Sequence, residues 1–314
     1  MEDNNKVNTS AYQQMKDYAE KTKEVWMLNG RNVMWLPIIV PHGITTTVML
    51  EDVYKKFVYL LRKKGSDLLS EEDVCQVHTI CGEIIELLKL YLRGNVVSAH
   101  KKFAKMMDQH YSNTFPHKFV ETNYLFYRMR RDEDKQEKKE FYHLPVSLRY
   151  LCASERFSIA GYPCFYIGYS KADCKVEISQ KGSVVGLSLK NSGNLKVLDL
   201  TFSKDQEDGS KLKEHLLAWP LIAACYLVMD GCIDTDKAKF REEYVIPQML
   251  TSFLKHRGGY DGICYYSVRN ENLNPLGRGE EDFRNLVLFP NLNDENEYDE
   301  KLMDKFEWYT PFNV

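Results

Sequence analysis

The sequence predicts an α+β protein in which a helical N-terminal domain precedes a domain built on a mixed β-sheet. Up to about residue 115, apolar residues recur at the three- and four-residue spacing of one helix face, most clearly over 71–92. Beyond that point short β-rich runs are separated by two helical stretches at uneven intervals, which is typical of α+β rather than of a regular βαβ array. We therefore predict two domains, 1–118 and 119–314.

Helix signals dominate the first domain. Ser70 is followed three residues later by Asp73, as in a capping box, and Gly94 stands where a helix should stop. A short extended piece runs from Val33 to Val40, between helices. Apolar spacing predicts those helices over 9–26, 50–64, 71–92 and 95–110.

The second domain combines strands with two helices, about 210–229 and 241–256. Its mixed-sign charge run from Arg128 to Glu140 predicts a solvated loop or a helix end, with its first arginine, Arg128, as the exception. The aromatic end 306–312 is expected to fold back onto the domain. Strands are predicted over Cys164–Gly168, Val184–Leu189, Leu195–Leu200, Ile263–Tyr266 and Leu286–Phe289.

Composition excludes several classes of protein. A hydrophobic content of 44% is too high for a disordered chain, and a net charge of −3 argues against a dedicated nucleic-acid binder. The longest apolar stretch, 216–229, contains Pro220 and is too short to span a membrane. The first ten residues lack an apolar signal-peptide core, and the 8 cysteines are scattered. We expect a cytoplasmic protein with reduced thiols and no membrane or nucleic-acid partner.

Two motifs in the first domain favour structural roles. Cys75, His78 and Cys81 share one helix face, but the fourth ligand of a zinc site is missing, so we predict core packing and no metal. Arg93 and His100 resemble the spacing found in HEPN-type ribonucleases. The adjacent Gly94 and small residues favour a corner between two helices over ribonuclease chemistry.

The second domain contains an ordered set of polar and aromatic blocks. No glycine-rich phosphate loop and no GxSxG elbow occurs in the chain, so side chains would have to hold any nucleotide. The blocks are, in order, Tyr127-Arg128, Phe141–Pro145, Glu155–Pro163, Phe165–Ser170, Glu177, Tyr244–Gln248, Tyr260–Ser267 and Asn285–Phe289.

This succession, over about residues 120–290, resembles the RES domain, a bacterial family named for its Arg, Glu and Ser residues. The resemblance implies a fold like that of ADP-ribosylating toxins, with NAD as the substrate. It also implies degradation of NAD by phosphorolysis or hydrolysis, and a place in a toxin–antitoxin pair. Residues 45–110 resemble the HEPN-related helical extension that precedes some RES domains.

The resemblance assigns the site residues, and their chemistry suits NAD. Arg128 and Arg156 match the positions expected to bind the pyrophosphate, for which guanidinium groups offer paired donors. Glu177 matches the family glutamate, and a carboxylate stabilises the ribosyl cation that forms when nicotinamide leaves. Tyr166 is expected to stack on the nicotinamide, and Ser267 to bind its carboxamide or the ribose. Further candidates for substrate binding are Tyr127 and Ser170, whereas His143 is assigned to a core or loop role.

The function implied is an NAD phosphorylase or NAD glycohydrolase that needs no metal or bound cofactor. NAD is the expected partner, and an antitoxin, a regulatory protein or a second copy of the chain are further candidates. A protein ADP-ribosyltransferase shares the first half of the reaction and stays open as an alternative. A non-enzymatic interaction module is the alternative from a different class.

Overall fold

The chain divides into two compact units, each assembled from separate segments. The helical unit comprises 1–116, 202–249 and 272–279, and the sheet unit comprises 117–201, 250–271 and 280–314. The sequence prediction placed one boundary between 118 and 119. The computed structural model describes residues 27–28, 31–32, 36–64, 68–112, 115–122, 124–131, 135–178, 181–201, 209–230, 240–268, 284–293 and 295–313.

Long helices form most of the helical unit. The predicted helix over 9–26 lies outside the described residues. The other three predicted helices are confirmed, and the predicted extended piece contains strand β3. The elements are β1 (Met27–Leu28), β2 (Arg31–Asn32), β3 (Ile38–Val40), α1 (Thr46–Lys64), α2 (Glu71–Leu92) and α3 (Val96–His110).

Both ends of α2 follow the predicted signals. The Asp73 amide donates to Ser70 Oγ at 3.1 Å, and the Ser70 amide donates to the Asp73 carboxylate at 2.8 Å, which completes the capping box. Gly94 ends the helix with φ of +84°, a conformation that residues with a Cβ rarely adopt. Arg93 and His100 therefore flank a corner between α2 and α3, as expected.

The possible zinc ligands on α2 are not gathered into a site. Cys81 is buried, as the core prediction requires, whereas Cys75 and His78 are exposed, so the core prediction is wrong for these two. Their positions on the helix turn them away from the stripe that packs inward. Across the described residues, no group of three or more His, Cys, Asp or Glu side chains is placed to hold a metal ion.

A later segment of the chain returns to the helical unit. The predicted helix over 210–229 ends early, as α5 (Gly209–Cys225), and its last residues form β9 (Leu227–Met229), which pairs in parallel with β3. Trp219 of α5 stacks on Phe57 of α1 with ring centroids 4.0 Å apart. Tyr54 donates its hydroxyl to the Pro220 carbonyl at 2.6 Å. In the part of the chain that the structure describes, no helix has the length and apolar character needed to cross a bilayer.

The sheet unit combines strands with short helices, as the α+β prediction states. Its helices are α4 (Lys171–Ile178), α6 (Val245–Arg257) from residue 250 onwards, and α7 (Glu300–Met303). Two 3₁₀ helices lie at Lys138–Phe141 and Val146–Leu151. Its strands are β4 (His117–Phe119), β5 (Leu125–Arg130), β6 (Phe165–Gly168), β7 (Ser183–Leu189), β8 (Lys196–Asp199), β10 (Gly262–Tyr266), β11 (Arg284–Leu288), β12 (Phe306–Trp308) and β13 (Phe312–Asn313).

Among the described residues, these nine strands form one mixed sheet in the order β12-β7-β5-β6-β11-β10-β8-β4, with β13 also paired to β7. β8 and β10 run in parallel, and the other pairs are antiparallel. One face carries a large apolar cluster that includes Phe126, Phe165 and Leu286. The aromatic end packs there through Phe306, which confirms that the end folds back.

The start of the mixed-charge run is a strand rather than a loop. Arg128 and Arg130 lie in β5, where Arg130 donates to the carbonyls of Glu140 and Tyr142 at 3.1 and 2.5 Å. The loop interpretation, from which Arg128 was excepted, is therefore wrong for Arg130. Charge alone suggested exposure, but the long arginine side chains bind main-chain carbonyls instead.

His143 ties two distant segments of the sheet unit together. The residue is 1% exposed, and its Nδ1 lies 2.8 Å from the Leu144 carbonyl oxygen. Its Nε2 accepts a hydrogen bond from the Asp299 amide at 2.9 Å. Because Nε2 accepts a hydrogen bond, the neutral ring carries its own proton on Nδ1. Burial lowers the pKa of this imidazole. The loop role expected from the sequence is confirmed.

We expect His143 to make the sheet unit less stable in mild acid. Its folded pKa lies below the unfolded value, so from about pH 6.5 downwards the unfolded chain binds the proton first. One such proton changes the free energy of unfolding by at most about 1.4 kcal/mol per pH unit. Urea unfolding at several pH values should show that the free energy of unfolding falls more steeply with decreasing pH in the wild type than in His143→Gln. Equal slopes would contradict the assignment.

Candidate functional site

One row of residues crosses the middle of the sheet on five adjacent strands. Tyr127 pairs with Gly186 and Gly168, Gly168 pairs with Asn285, and Asn285 pairs with Tyr265. Paired residues project to the same face, so the three side chains of this row lie on one face of the sheet, which we call the site face.

Helix α4 packs on the site face. Its Cys174 thiol donates to the Tyr127 carbonyl at 3.3 Å, and Cys174 packs with Met129 and Val184 on the sheet. Ile178 at the end of α4 adds to this small apolar cluster. The helix therefore brings its polar residues close to the row.

Glu177 of α4 is bound by two donors from the sheet. Its Oε1 accepts the Ser267 hydroxyl at 2.6 Å and the Asn285 amide at 3.1 Å. Ser267 directly follows β10 and is 0% exposed, and Asn285 is 5% exposed. Hydrogen bonds to an ionised carboxylate are about twice as strong as neutral ones, so this group is well held. The structure thus brings two of the predicted residues into direct contact.

A short turn carrying Arg156 lies over the same face. Ser158 in this turn is hydrogen-bonded to the Tyr166 hydroxyl at 2.8 Å, and the Phe157 ring lies 4.7 Å from that of Tyr265. Arg156 itself is 8% exposed. Burial raises the pKa of the Tyr166 phenol, which therefore keeps its proton at neutral pH. The predicted residues Arg156 and Tyr166 are thus neighbours through this turn.

Arg128 lies on the other face of β5, although it reaches the same strands. Its guanidinium lies 4.8 Å from the centre of the Phe165 ring and donates to the Tyr166 and Tyr142 carbonyls at 2.5 and 3.3 Å. The side chain is 8% exposed, and Nε has no hydrogen-bond partner among the described residues. Burial, with the nearby Arg130 charge, lowers its pKa well below the ordinary value.

The sheet opens beside Arg128. Within their described lengths, β5 and β6 pair at one position, Tyr127 with Gly168, and then diverge. Arg128 Nη1 crosses this opening to reach the Tyr166 carbonyl. The guanidinium is therefore placed in a gap between two strands that both contribute to the site face.

The two remaining predicted residues border α4. Ser170 precedes the helix, and its carbonyl oxygen accepts a hydrogen bond from the Cys174 amide at 3.4 Å. The Tyr127 ring lies 5.5 Å from the Lys171 ammonium, which also lies 4.5 Å from the Phe312 ring. Their roles in substrate binding stay predictions.

Asn285 is the residue that sequence reasoning missed. It appeared only as the first residue of the closing strand, with no role assigned. Its contact with Glu177 depends on the register of β11 against β6, which pairs Asn285 with Gly168. Residues 108 positions apart give no local spacing signal, although an amide at the start of a predicted buried strand is a signal in itself.

Comparison with known proteins matches the part of the chain that carries this site. The model of the RES domain matches residues 125–309, which is more than half of the chain and includes all of the candidate site residues predicted from the sequence. The chain is similar to "Putative toxin YopC" of Bacillus subtilis (strain 168), with 25% identity over 262 residues. The match covers 74% of this chain and 58% of that protein, so the chain spans less than two thirds of the curated relative's length. No solved structure matches the chain. The chain belongs to the RES domain family.

Proposed function

We propose that the sheet unit consumes NAD by cleaving the bond between nicotinamide and ribose, as an NAD phosphorylase or NAD glycohydrolase. The observation that carries this proposal is the hydrogen-bonded group of Glu177, Ser267 and Asn285. A carboxylate fixed in a largely buried polar group on an otherwise apolar sheet is suited to stabilise positive charge. NAD is the substrate, and we propose no metal or resident cofactor.

Glu177 would act on the charge that develops as the bond breaks. Loss of nicotinamide leaves a ribosyl cation, which a nearby carboxylate stabilises, as carboxylates do in glycosidases. Because Ser267 and Asn285 hold Oε1, the carboxylate is oriented before substrate arrives. Nicotinamide would leave with the electrons of the broken bond, and phosphate, or water that releases a proton to solvent, would then bond to the ribose carbon.

The arginines would bind the pyrophosphate. Arg128 is a buried cation whose hydrogen bonds go to main-chain carbonyls, so an anion beside it would offset the cost of its burial. Arg156 lies in the turn over the site face. Arg156 lies over the same face of the sheet as Glu177, whereas a phosphate would reach Arg128 only through the opening between β5 and β6.

Membership of the RES family and similarity to a protein described as a toxin support a toxin role. An enzyme that removes NAD without restraint would halt the growth of its own cell. We therefore propose that an antitoxin or another regulatory protein restrains it.

The direct test is to incubate the purified protein with NAD, with and without phosphate, and to separate the nucleotides by chromatography. We expect nicotinamide together with ADP-ribose, or with ADP-ribose 1-phosphate when phosphate is present. Retention of the ADP-ribose label on protein would instead favour an ADP-ribosyltransferase. Unchanged NAD would overturn the proposal and favour an interaction module.

A further inference from the structure

Asn285 is a buried amide on an interior strand. β11 lies between β6 and β10, and the main chain of Asn285 pairs with Gly168 on one side and Tyr265 on the other. A side chain that is 5% exposed on a strand paired on both sides has little freedom to move. Its amide therefore gives Glu177 a fixed donor at 3.1 Å.

Glu177, in contrast, sits on a less rigid element. It is the penultimate residue of α4, a helix of 8 residues, and the last turn of a short helix frays readily. A glutamate side chain also has three rotatable bonds, whose freedom must be lost if the carboxylate is to face a substrate. Restraint must therefore come from the sheet.

We propose that Asn285 is a positioning residue that, with Ser267, holds Oε1 of Glu177 in the orientation required for NAD cleavage. The inference rests on the proposed function and deepens it, because it names a residue on which the same site depends. Two donors on one oxygen fix both the place and the rotation of the carboxylate, whereas one donor leaves it free to turn.

Two charged residues near this contact lie over aromatic rings, and a third, Arg156, lies in the turn over the site face. On α4, Lys171 lies over the rings of Tyr127 and Phe312. Next to Asn285, Arg284 lies over the Tyr169 ring at 4.2 Å, on the face opposite the site face. The two side chains that bind Oε1 are both neutral donors. Exchanging the Asn285 amide for a carboxylate of the same shape therefore turns its hydrogen bond to Glu177 into a repulsion and leaves the size of the side chain unchanged.

The test is Asn285→Asp, assayed for NAD loss over a range of pH. At about pH 8 two carboxylates would face each other, and we expect kcat to fall about 10- to 100-fold with KM changed less than about twofold. As the pH falls towards about 5, the pair shares a proton and a donor is restored, so the deficit should shrink at least about fivefold. Asn285→Ala cannot regain a donor, so its deficit should stay constant with pH.

A matched control is Asn191→Asp, which adds the same charge in an exposed turn of the sheet unit. It should keep the wild-type rate and pH profile. Crystal structures of the wild type and Asn285→Asp at about pH 8 give a second readout that needs no turnover. We expect Glu177 Oε1 to remain near residue 285 in the wild type and to turn away in the variant.

Two outcomes overturn the inference: Glu177 keeps its place in Asn285→Asp, or the variant's rate stays in constant proportion to the wild-type rate at all pH values. Failure of the proposed function looks different. If the wild-type protein leaves NAD intact but Glu177 moves in Asn285→Asp, the positioning role stands and the proposed reaction does not.

Discussion

Replacing Glu177 with Gln is expected to lower the rate of NAD loss about 100- to 1,000-fold. The amide keeps an oxygen that can accept from Ser267 and Asn285, so the side chain should hold its place and the protein should fold normally. What is lost is the negative charge that we propose stabilises the ribosyl cation. Initial rates from nucleotide chromatography, with KM determined for both proteins, measure the effect.

A matched control for this substitution is Glu300→Gln. Glu300 is an exposed carboxylate of the same unit, 3.8 Å from Lys139, and such a pair contributes little. It should leave the rate unchanged. If Glu177→Gln and Glu300→Gln consume NAD equally fast, Glu177 has no catalytic role.

Replacing Gly262 with Ala is expected to lower the free energy of unfolding by about 3 kcal/mol or more. Gly262 lies in β10 between Leu288 and Val197, and a Cβ built there would lie 2.1 Å from the Val287 carbonyl oxygen and 3.0 Å from the Leu288 Cα. These are backbone atoms, so the strands themselves would have to separate. Urea unfolding measures the loss in the free energy of unfolding. Hydrogen exchange of the β10 and β11 amides shows whether these strands separate.

Gly186 provides a matched control on another strand of the same sheet. A Cβ there would meet the side chains of Leu125 and Tyr309 at 3.3 and 3.5 Å, and both of these are more than a third exposed. Because exposed side chains can shift, Gly186→Ala should change the free energy of unfolding by less than about 1 kcal/mol. Equal losses in the two variants would show that the contact at Gly262 relaxes without moving the strands.

Local signals in the sequence predicted the local elements well. The apolar stripe and capping box of α2 describe that helix without reference to the rest of the chain, and its bounds agree with the prediction. The early end of α5 had no such signal, because Leu227–Met229 become a strand only by pairing with β3. Long-range pairing of this kind cannot be read from the apolar spacing of one segment.

The candidate site shows the same difference between what the sequence pattern indicates and what depends on long-range pairing. The resemblance to the RES family supplied Glu177 and Ser267, and the structure places them in contact. Asn285 became visible only once the register of β11 was known, because its partner lies far away in the chain. The gap beside Arg128 likewise depends on how two strands diverge, which no residue pattern encodes.

The order of these residues along the chain bears on synthesis. Ser267 and Asn285 follow Glu177 by 90 and 108 positions, so the carboxylate leaves the ribosome long before its two hydrogen-bond donors do. A nascent polypeptide that has emerged as far as α4 therefore cannot yet assemble this cluster. We therefore expect the hydrogen-bonded group of Glu177, Ser267 and Asn285 to form only after residue 285 has emerged from the ribosome.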